Sequence, residues 1–248
     1  FVLLMLPRRV CFFTAAIAVQ KAGCAYVPIS HTYPAERINY IISDCQPKLI
    51  ITTSEIFHQR NQKGELNIGN AHLLFLDKTD LKSVDASPAD LSSPDIPALL
   101  LYTSGTTGKP KGVLHSSHSL LCASLIWKLE LGEDAPWLAT AVMADFSFIA
   151  STFDTFGPLY YGGCVHILGE DVRADMDYVR KYIHDNHIYR MFMPSAFGVA
   201  MINTYELDLK RLLLGGEKVS GINPEKLTGD VAIFVGYGMS ESLAIDTQ

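Results

Sequence analysis

The 248-residue sequence is short of charge: Asp, Glu, Lys and Arg make up 19% of it, against about a quarter in an ordinary soluble domain. It has no initiator methionine, no C-x-x-C pair, no internal repeat and no low-complexity tract. No apolar run reaches the roughly 18 residues of a membrane span, so no spanning helix is expected. The cysteines are Cys11, Cys24, Cys45, Cys122 and Cys164, odd in number and widely spaced. That pattern argues against a disulfide framework or structural zinc, and for small buried apolar residues in a reducing cytoplasm. Net charge is −6, the wrong sign for a bare nucleic-acid binder. A small anion can still meet a locally positive site. With 48% apolar residues the chain can bury a real core as one large domain or two lobes, which excludes a disordered chain, a collagen and a coiled coil. The low charge fits a piece of something larger or a partner-covered surface. Arg8 and Arg9 follow the apolar opening Phe1–Leu6, the reverse of a signal peptide, so the opening reads as a buried strand.

Apolar runs of strand length alternate with segments of helical period. Val2–Leu6 reads as a strand and Val10–Ala22 as a helix stopped at Gly23. A helix opened by Pro34 runs to about Asp44 with Ile38, Ile41 and Ile42 on one face, and Leu49–Thr52 is the next strand. Residues 54–71 are polar and weakly periodic, and Leu73–Leu76 is a short strand. Asp77–Pro97 reads as an exposed connector, which divides the chain into lobes 1–97 and 98–248. Beyond it, Ala98–Tyr102 is a strand, and Ser116 or Ser117 caps a helix through Trp127. Strands follow at Trp137–Met143, Val165–Leu168, Met191–Met193, Leu212–Leu214 and Val231–Val235. Helices follow at Ser151–Tyr161, at Met176–Asn186 and from Pro194-Ser195 onward. The order predicts an α/β fold of predominantly parallel sheets flanked by helices.

The chemistry concentrates in Tyr102-Thr-Ser-Gly-Thr-Thr-Gly-Lys-Pro-Lys-Gly112, directly after a strand. Its glycines let backbone N–H groups approach an anion, its hydroxyls donate hydrogen bonds and its lysines add charge, a combination that suits a polyphosphate. It is not a Walker loop, because Gly105 and Gly108 are too close and Pro110 follows Lys109. A flexible Ser/Gly linker is the bland alternative, and buried strands on both sides argue against it. His115 and His118 nearby are expected to be surface or helix-start residues, and Met191, Met193 and Met201 to be core filler.

This stretch resembles the signature of the adenylate-forming enzymes, which include acyl-CoA synthetases, luciferases and the adenylation domains of nonribosomal peptide synthetases. Four more stretches agree in order: Lys21–Pro28 with Tyr33–Arg37, Phe146–Leu159, Leu214–Glu217 and Gly236–Glu241. The first of these is similar to the peptide-synthetase branch. The resemblance implies the large N-terminal core of such an enzyme, using ATP and Mg²⁺ to convert a carboxylic acid to an acyl-adenylate with release of pyrophosphate. The acyl group would then pass to a carrier-protein phosphopantetheine thiol. It further implies that Thr103, Ser104, Gly105, Thr106, Thr107, Gly108 and Lys111 hold phosphates and that Glu241 holds Mg²⁺. Ser240 would bond the α-phosphate, Tyr237 with Gly238 would stack on adenine, and Gly216 and Glu217 would line its edge. Thr103, Lys111, Ser240 and Glu241 are the expected catalytic set. An acyl-CoA synthetase and a degenerate, non-catalytic scaffold are the alternatives.

By the same resemblance the acid pocket comprises Phe148, Ile149, Ala150, Phe153, Phe192, Leu213, Gly215, Gly236, Ala244 and Ile245, none of them charged. Amino-acid-activating relatives carry Phe-Asp where this chain has Phe148-Ile149. Burying an α-ammonium without a carboxylate is costly, so an apolar aryl, keto, hydroxy or fatty acid is expected. Asp154, five residues past Ile149, is expected to miss the pocket. Relatives continue into a ribose-gripping Asp, a hinge and a small mobile domain with a catalytic lysine. The 248 residues are therefore expected to be part of a larger core, weakly active or inactive alone, with no nucleic-acid or membrane partner.

Overall fold

The computed structural model describes residues 1–80, 90–104, 108–131, 139–227 and 230–247, without the side chains of 126–131 and 242–247. It forms two units, Phe1–Ser119 and Leu120–Gln248. In the first, β1 (Val2–Met5), β2 (Tyr26–Pro28) and β3 (Leu49–Thr52) are short β-rich runs buried at nearly every position, the pattern of strands covered on both faces. With β4 (His72–Phe75), β5 (Pro97–Ser104) and β6 (Pro110–Ser116) they form a sheet ordered β4-β3-β1-β2-β5-β6, parallel except between β5 and β6. Helix α1 (Val10–Lys21) ends just before Gly23, as expected. Helix α2 (Ala35–Cys45) starts after Pro34, ends at a left-handed Gln46 and buries Ile38, Ile41, Ile42 and Cys45 in a core with Leu3, Val27, Ile50 and Tyr102.

Two elements of this unit escape the sequence reading. Helix α3 (Ser54–Arg60) lies in the stretch read as weakly periodic, since it buries only Ile56 and shows no apolar stripe. Caps hold it instead. Thr53 Oγ1 accepts from Ile56 N–H at 3.2 Å, and Asp77 Oδ1 accepts from Ser54 N–H at 2.8 Å. The strand β6 contains Pro110, Lys111 and Gly112, poor strand formers, and forms because it pairs with β5 from Ser104–Pro110 to Pro97–Ser116. That pairing carries residues 98–119 into the first unit. The division expected at the connector 77–97 thus differs from the observed one, which falls inside α4 (Ser117–Leu131).

The second unit has β7 (Ala139–Val142), β8 (Cys164–Ile167), β9 (Arg190–Pro194), β10 (Arg211–Gly215), β11 (Ala232–Met239) and β12 (Ser242–Thr247), ordered β12-β11-β10-β9-β7-β8. Only β11 and β12 are antiparallel. Side chains alternate between faces along a strand. Met191, Met193, Leu212 and Leu214 enter a core with Met201 of α7 (Ser195–Thr204) and with Val179 and Ile183 of α6 (Met176–Asp185), the filler role expected of the methionines. Arg190, Phe192, Leu213 and Gly215 point to the opposite face. There α5 (Ala150–Tyr160) packs on β7, β8 and β9.

Two expectations need correction. Of the five free cysteines only Cys45 is buried, and Cys164 is exposed. His115 is buried rather than on the surface, because β6 places it opposite Leu99, while His118 is exposed in the first turn of α4. Among the described residues no helix is long and apolar enough to cross a membrane.

Helix α7 approaches the sheet through Gly198, where an added Cβ would lie 3.2 Å from Met193 Cβ and 2.2 Å from Leu214 Cδ2. Gly198→Val is expected to lower unfolding free energy by about 1–3 kcal/mol through overpacking, measured by denaturant unfolding of the second unit's core.

Candidate active site

The first unit contributes the β5–β6 hairpin. Tyr102, Thr103 and Ser104 end β5 opposite Gly112, Lys111 and Pro110. Thr103 and Lys111 are a direct cross-strand pair and so share one face, with Thr103 half-buried and Lys111 exposed. Gly108, at φ +81°, and the exposed Lys109 lead back into β6. Gly105, Thr106 and Thr107 lie outside the described residues. On the other face the Tyr102 hydroxyl donates to Asp44 Oδ2 at 2.6 Å, which ties the hairpin to the end of α2. Burial, and then this bond to a carboxylate, push the Tyr102 phenol well above its usual range, so it stays a donor. Burial likewise pushes the neighbouring Cys45 thiol up to about 11, which makes it an unreactive packing group.

The second unit contributes strand ends. Phe192, Leu213 and Phe234 form one row across β9, β10 and β11, and Pro194, Gly215 and Gly236 form the next row toward the carboxyl edge. Gly215 has no room for a side chain: a Cβ would lie 3.0 Å from both Gly236 O and Phe192 Cε2. Past that edge the chain turns at Gly216, φ +90°, and Ser195 holds the turn. The buried Ser195 Oγ–H is shared between Gly215 O at 3.1 Å and Glu217 O at 2.8 Å. Glu217 Oε1 accepts from Ala196 N–H at 3.2 Å, a carboxylate at the positive end of α7.

Strand β11 then runs on through Tyr237 and Gly238 to a two-residue turn of Ser240 and Glu241 before β12. The Tyr237 ring is 73% exposed, beside exposed Gly238 and Glu241. Ala244 and Ile245 lie in β12, with their side chains outside the described set.

Of the residues expected in the acid pocket, the register places Phe192, Leu213, Gly215 and Gly236 together on the face that α5 covers. Phe153 is buried in α5, with Ile149 and Ala150 half-buried at its start. Phe148 differs from expectation: it is 59% exposed. The Asp145 carboxylate takes Ser147 N–H and Oγ–H at 2.9 and 2.6 Å, and Asp145 O takes Phe148 N–H at 3.0 Å. This tight turn leaves Phe148 facing solvent. Asp154 is fully buried and ion-paired with Arg190. Sequence reasoning missed Ser195, Asp44 and Phe234. Only Phe234 had a signal, its period-two spacing from Gly236.

The first unit thus presents a basic, hydroxyl-bearing hairpin, chemistry that suits phosphates. The second presents an exposed aromatic, a turn carboxylate and an apolar row at parallel strand ends, chemistry that suits a base and an apolar acid. A family model described as AMP-binding enzyme matches residues 1–247, and the chain belongs to that family. Tyrocidine synthase 2 of Brevibacillus parabrevis is 31% identical over 246 residues, which are 99% of this chain and 7% of that protein. The N-terminal subdomain of Klebsiella oxytoca NpsA superposes with a TM-score of 0.81 at 24% identity, over 98% of this chain and 62% of that one. O-succinylbenzoate coenzyme A synthetase (MenE) of Bacillus subtilis, solved with AMP, gives a TM-score of 0.81 at 19% identity, over 98% and 62%. The chain therefore spans a small part of the curated relative and less than two thirds of either solved structure.

Two substitutions test the supports. Ser195→Ala is expected to cost about 1–2 kcal/mol of stability and to weaken nucleotide binding. Tyr102→Phe is expected to cost about 1 kcal/mol of stability and to weaken nucleotide binding through the hairpin. Isothermal titration with AMP against thermal unfolding reads both.

Proposed function

We propose that the protein containing this chain activates an apolar carboxylic acid with ATP and passes the acyl group to the phosphopantetheine thiol of a carrier protein in the cytoplasm. A carboxylate oxygen forms a bond to the α-phosphorus of ATP, and the bond from that phosphorus to pyrophosphate breaks. The thiolate then attacks the acyl carbon and AMP leaves with the anhydride electrons. Little covalent work falls to the protein, so its part is to position the reactants and neutralise charge.

Within that reading Thr103, Ser104, Gly105, Thr106, Thr107, Gly108 and Lys111 receive the triphosphate and Ser240 bonds the α-phosphate. Tyr237 stacks on adenine, beside Gly238 and the turn at Gly216 and Glu217. Mg²⁺ fits the donor set, because magnesium is commonly held by one or two carboxylates together with substrate phosphates and the Ser240-Glu241 turn presents one carboxylate. The exposed Glu241 would hold it, and the ion would neutralise phosphate charge.

The β5–β6 hairpin carries the proposal: it joins Thr103 and Lys111 as a cross-strand pair within the glycine-rich stretch of the sequence. The acid's character rests on Ile149, which stands at the start of α5 where a carboxylate would be needed for an α-ammonium, and on Asp154, whose charge is committed to Arg190. ATP–pyrophosphate exchange with the full-length protein tests both points. Apolar acids are expected to support exchange, α-amino acids less well than their deaminated analogues, and Lys111→Met is expected to lower kcat/KM by roughly 10²-fold. Absence of acid-dependent exchange overturns the activity. Preference for the α-amino acid overturns the pocket reading.

A further inference from the structure

A buried ion pair in the second unit joins Asp154 of α5 to Arg190 of β9, at 0% and 2% exposure. Arg190 lies on the same sheet face as Phe192, two residues along β9, in register with Thr140 on β7 and Arg211 on β10. Asp154 directly follows the buried Phe153 and sits one helical turn after Ala150. The pair thus connects the helix expected to wall the acid pocket to the strand that supplies its floor.

Helix α5 is a weak helix by its own sequence. Its sequence, ASTFDTFGPLY, contains a serine, two threonines, a glycine and a proline, and all of these are weak helix formers. Ile149 at its N-cap gives no side-chain cap. Its hydroxyls bond backwards within the segment: Ser151 Oγ to Phe148 O at 2.8 Å, Thr152 Oγ1 to Ile149 O at 2.6 Å, and Thr155 Oγ1 to Ser151 O at 2.7 Å. Non-directional packing against β7, β8 and β9 holds the helix to the sheet without fixing where along it the helix stops. A guanidinium and a carboxylate meeting inside the protein do fix that, because displacement would strand two charges away from water. An apolar pair of similar volume would stabilise the fold as well or better. The pair's use is therefore geometric.

We propose that the Asp154–Arg190 pair is a positioning device for acid selection: it locks α5 in register over β9 and so sets how far Ile149, Ala150 and Phe153 stand from Phe192 and Leu213. The proposal rests on the acid-activating reading, and it assigns the pair no contact with substrate.

The test uses the full-length protein with three variants, Asp154→Leu, Arg190→Met and the double variant. Either single change leaves one buried charge alone and can unfold the unit. The double change leaves none, and it is expected to fold with wild-type thermal stability. In pyrophosphate exchange the double variant is expected to raise KM for the preferred acid about tenfold or more, since small misplacements at a site are costly. It should also lose most of its discrimination against an acid one methylene longer, while KM for ATP stays within about threefold. A stable double variant with wild-type acid KM and discrimination overturns the proposal. So does a parallel rise in both KM values, the mark of general loosening. If the wild-type protein exchanges with no acid, the activity reading fails on its own. Amide hydrogen exchange then decides the pair: α5 amides at least about tenfold faster in the double variant, with β9 amides unchanged, support a register lock, and unchanged α5 amides overturn it.

Discussion

Parallel pairing is the constraint on which the rest depends. Strands paired in parallel all end at the same edge, so the residues that leave β9, β10 and β11 emerge together however far apart they lie in sequence. In the second unit that edge gathers Pro194, Gly215 and Gly236, and just beyond it come the Ser195-held turn and the Tyr237 ring. Burial on both faces makes the register costly to shift, because a one-residue slip would drive Arg190 and Phe192 into the core occupied by Met191 and Met193. The site's geometry is in this sense a by-product of the core's.

Each parallel sheet ends in one antiparallel hairpin, β5–β6 in the first unit and β11–β12 in the second. Both hairpins carry the residues of most chemical interest: the Thr103–Lys111 pair in the first, and the Ser240-Glu241 turn in the second. A parallel strand needs a long crossover and leaves its loop tied to a helix. A hairpin at a sheet edge needs only a short connection, and Lys109 and Lys111 of the first and Glu241 of the second are exposed. The Tyr102–Asp44 bond fastens the first hairpin to the end of α2, and the Ser195–Gly215 bond fastens the turn after β10 to the start of α7.

The sequence revealed elements whose signal is periodic and missed those whose signal is relational. The stripe of Ile38, Ile41 and Ile42 announced α2, and the runs Leu49–Thr52 and Leu212–Leu214 announced β3 and β10. Helix α3 buries one residue and depends on an aspartate more than twenty positions away, so no local window contains its cause. Strand β6 is made of residues that disfavour strands and exists because β5 is beside it, and without it the unit boundary was drawn too early. The same division runs through the site. Phe192, Leu213, Gly215 and Gly236 were legible from motif position, and the register brings them into adjoining rows. Phe148, legible by the same rule, is turned out by the Asp145 turn. Ser195 and Asp44 matter through partners on other elements, which only folding supplies.

Asp154 shows why reading a pocket from its lining alone is incomplete. Spacing on the helix told it apart from Ile149, and on that ground it drops out of any account of substrate contact. Its burial against Arg190 returns it in another role. A groove whose visible wall is apolar imposes no direction on that wall, since dispersion contacts are many, weak and nearly interchangeable. Selectivity among apolar acids that differ by a methylene depends on distances held to a fraction of that methylene's length. The directional interaction that can hold them is electrostatic, and it must be sealed from water to be stiff. A charge pair buried between α5 and β9 meets both requirements, whereas the same pair in a groove would attract the wrong ligands.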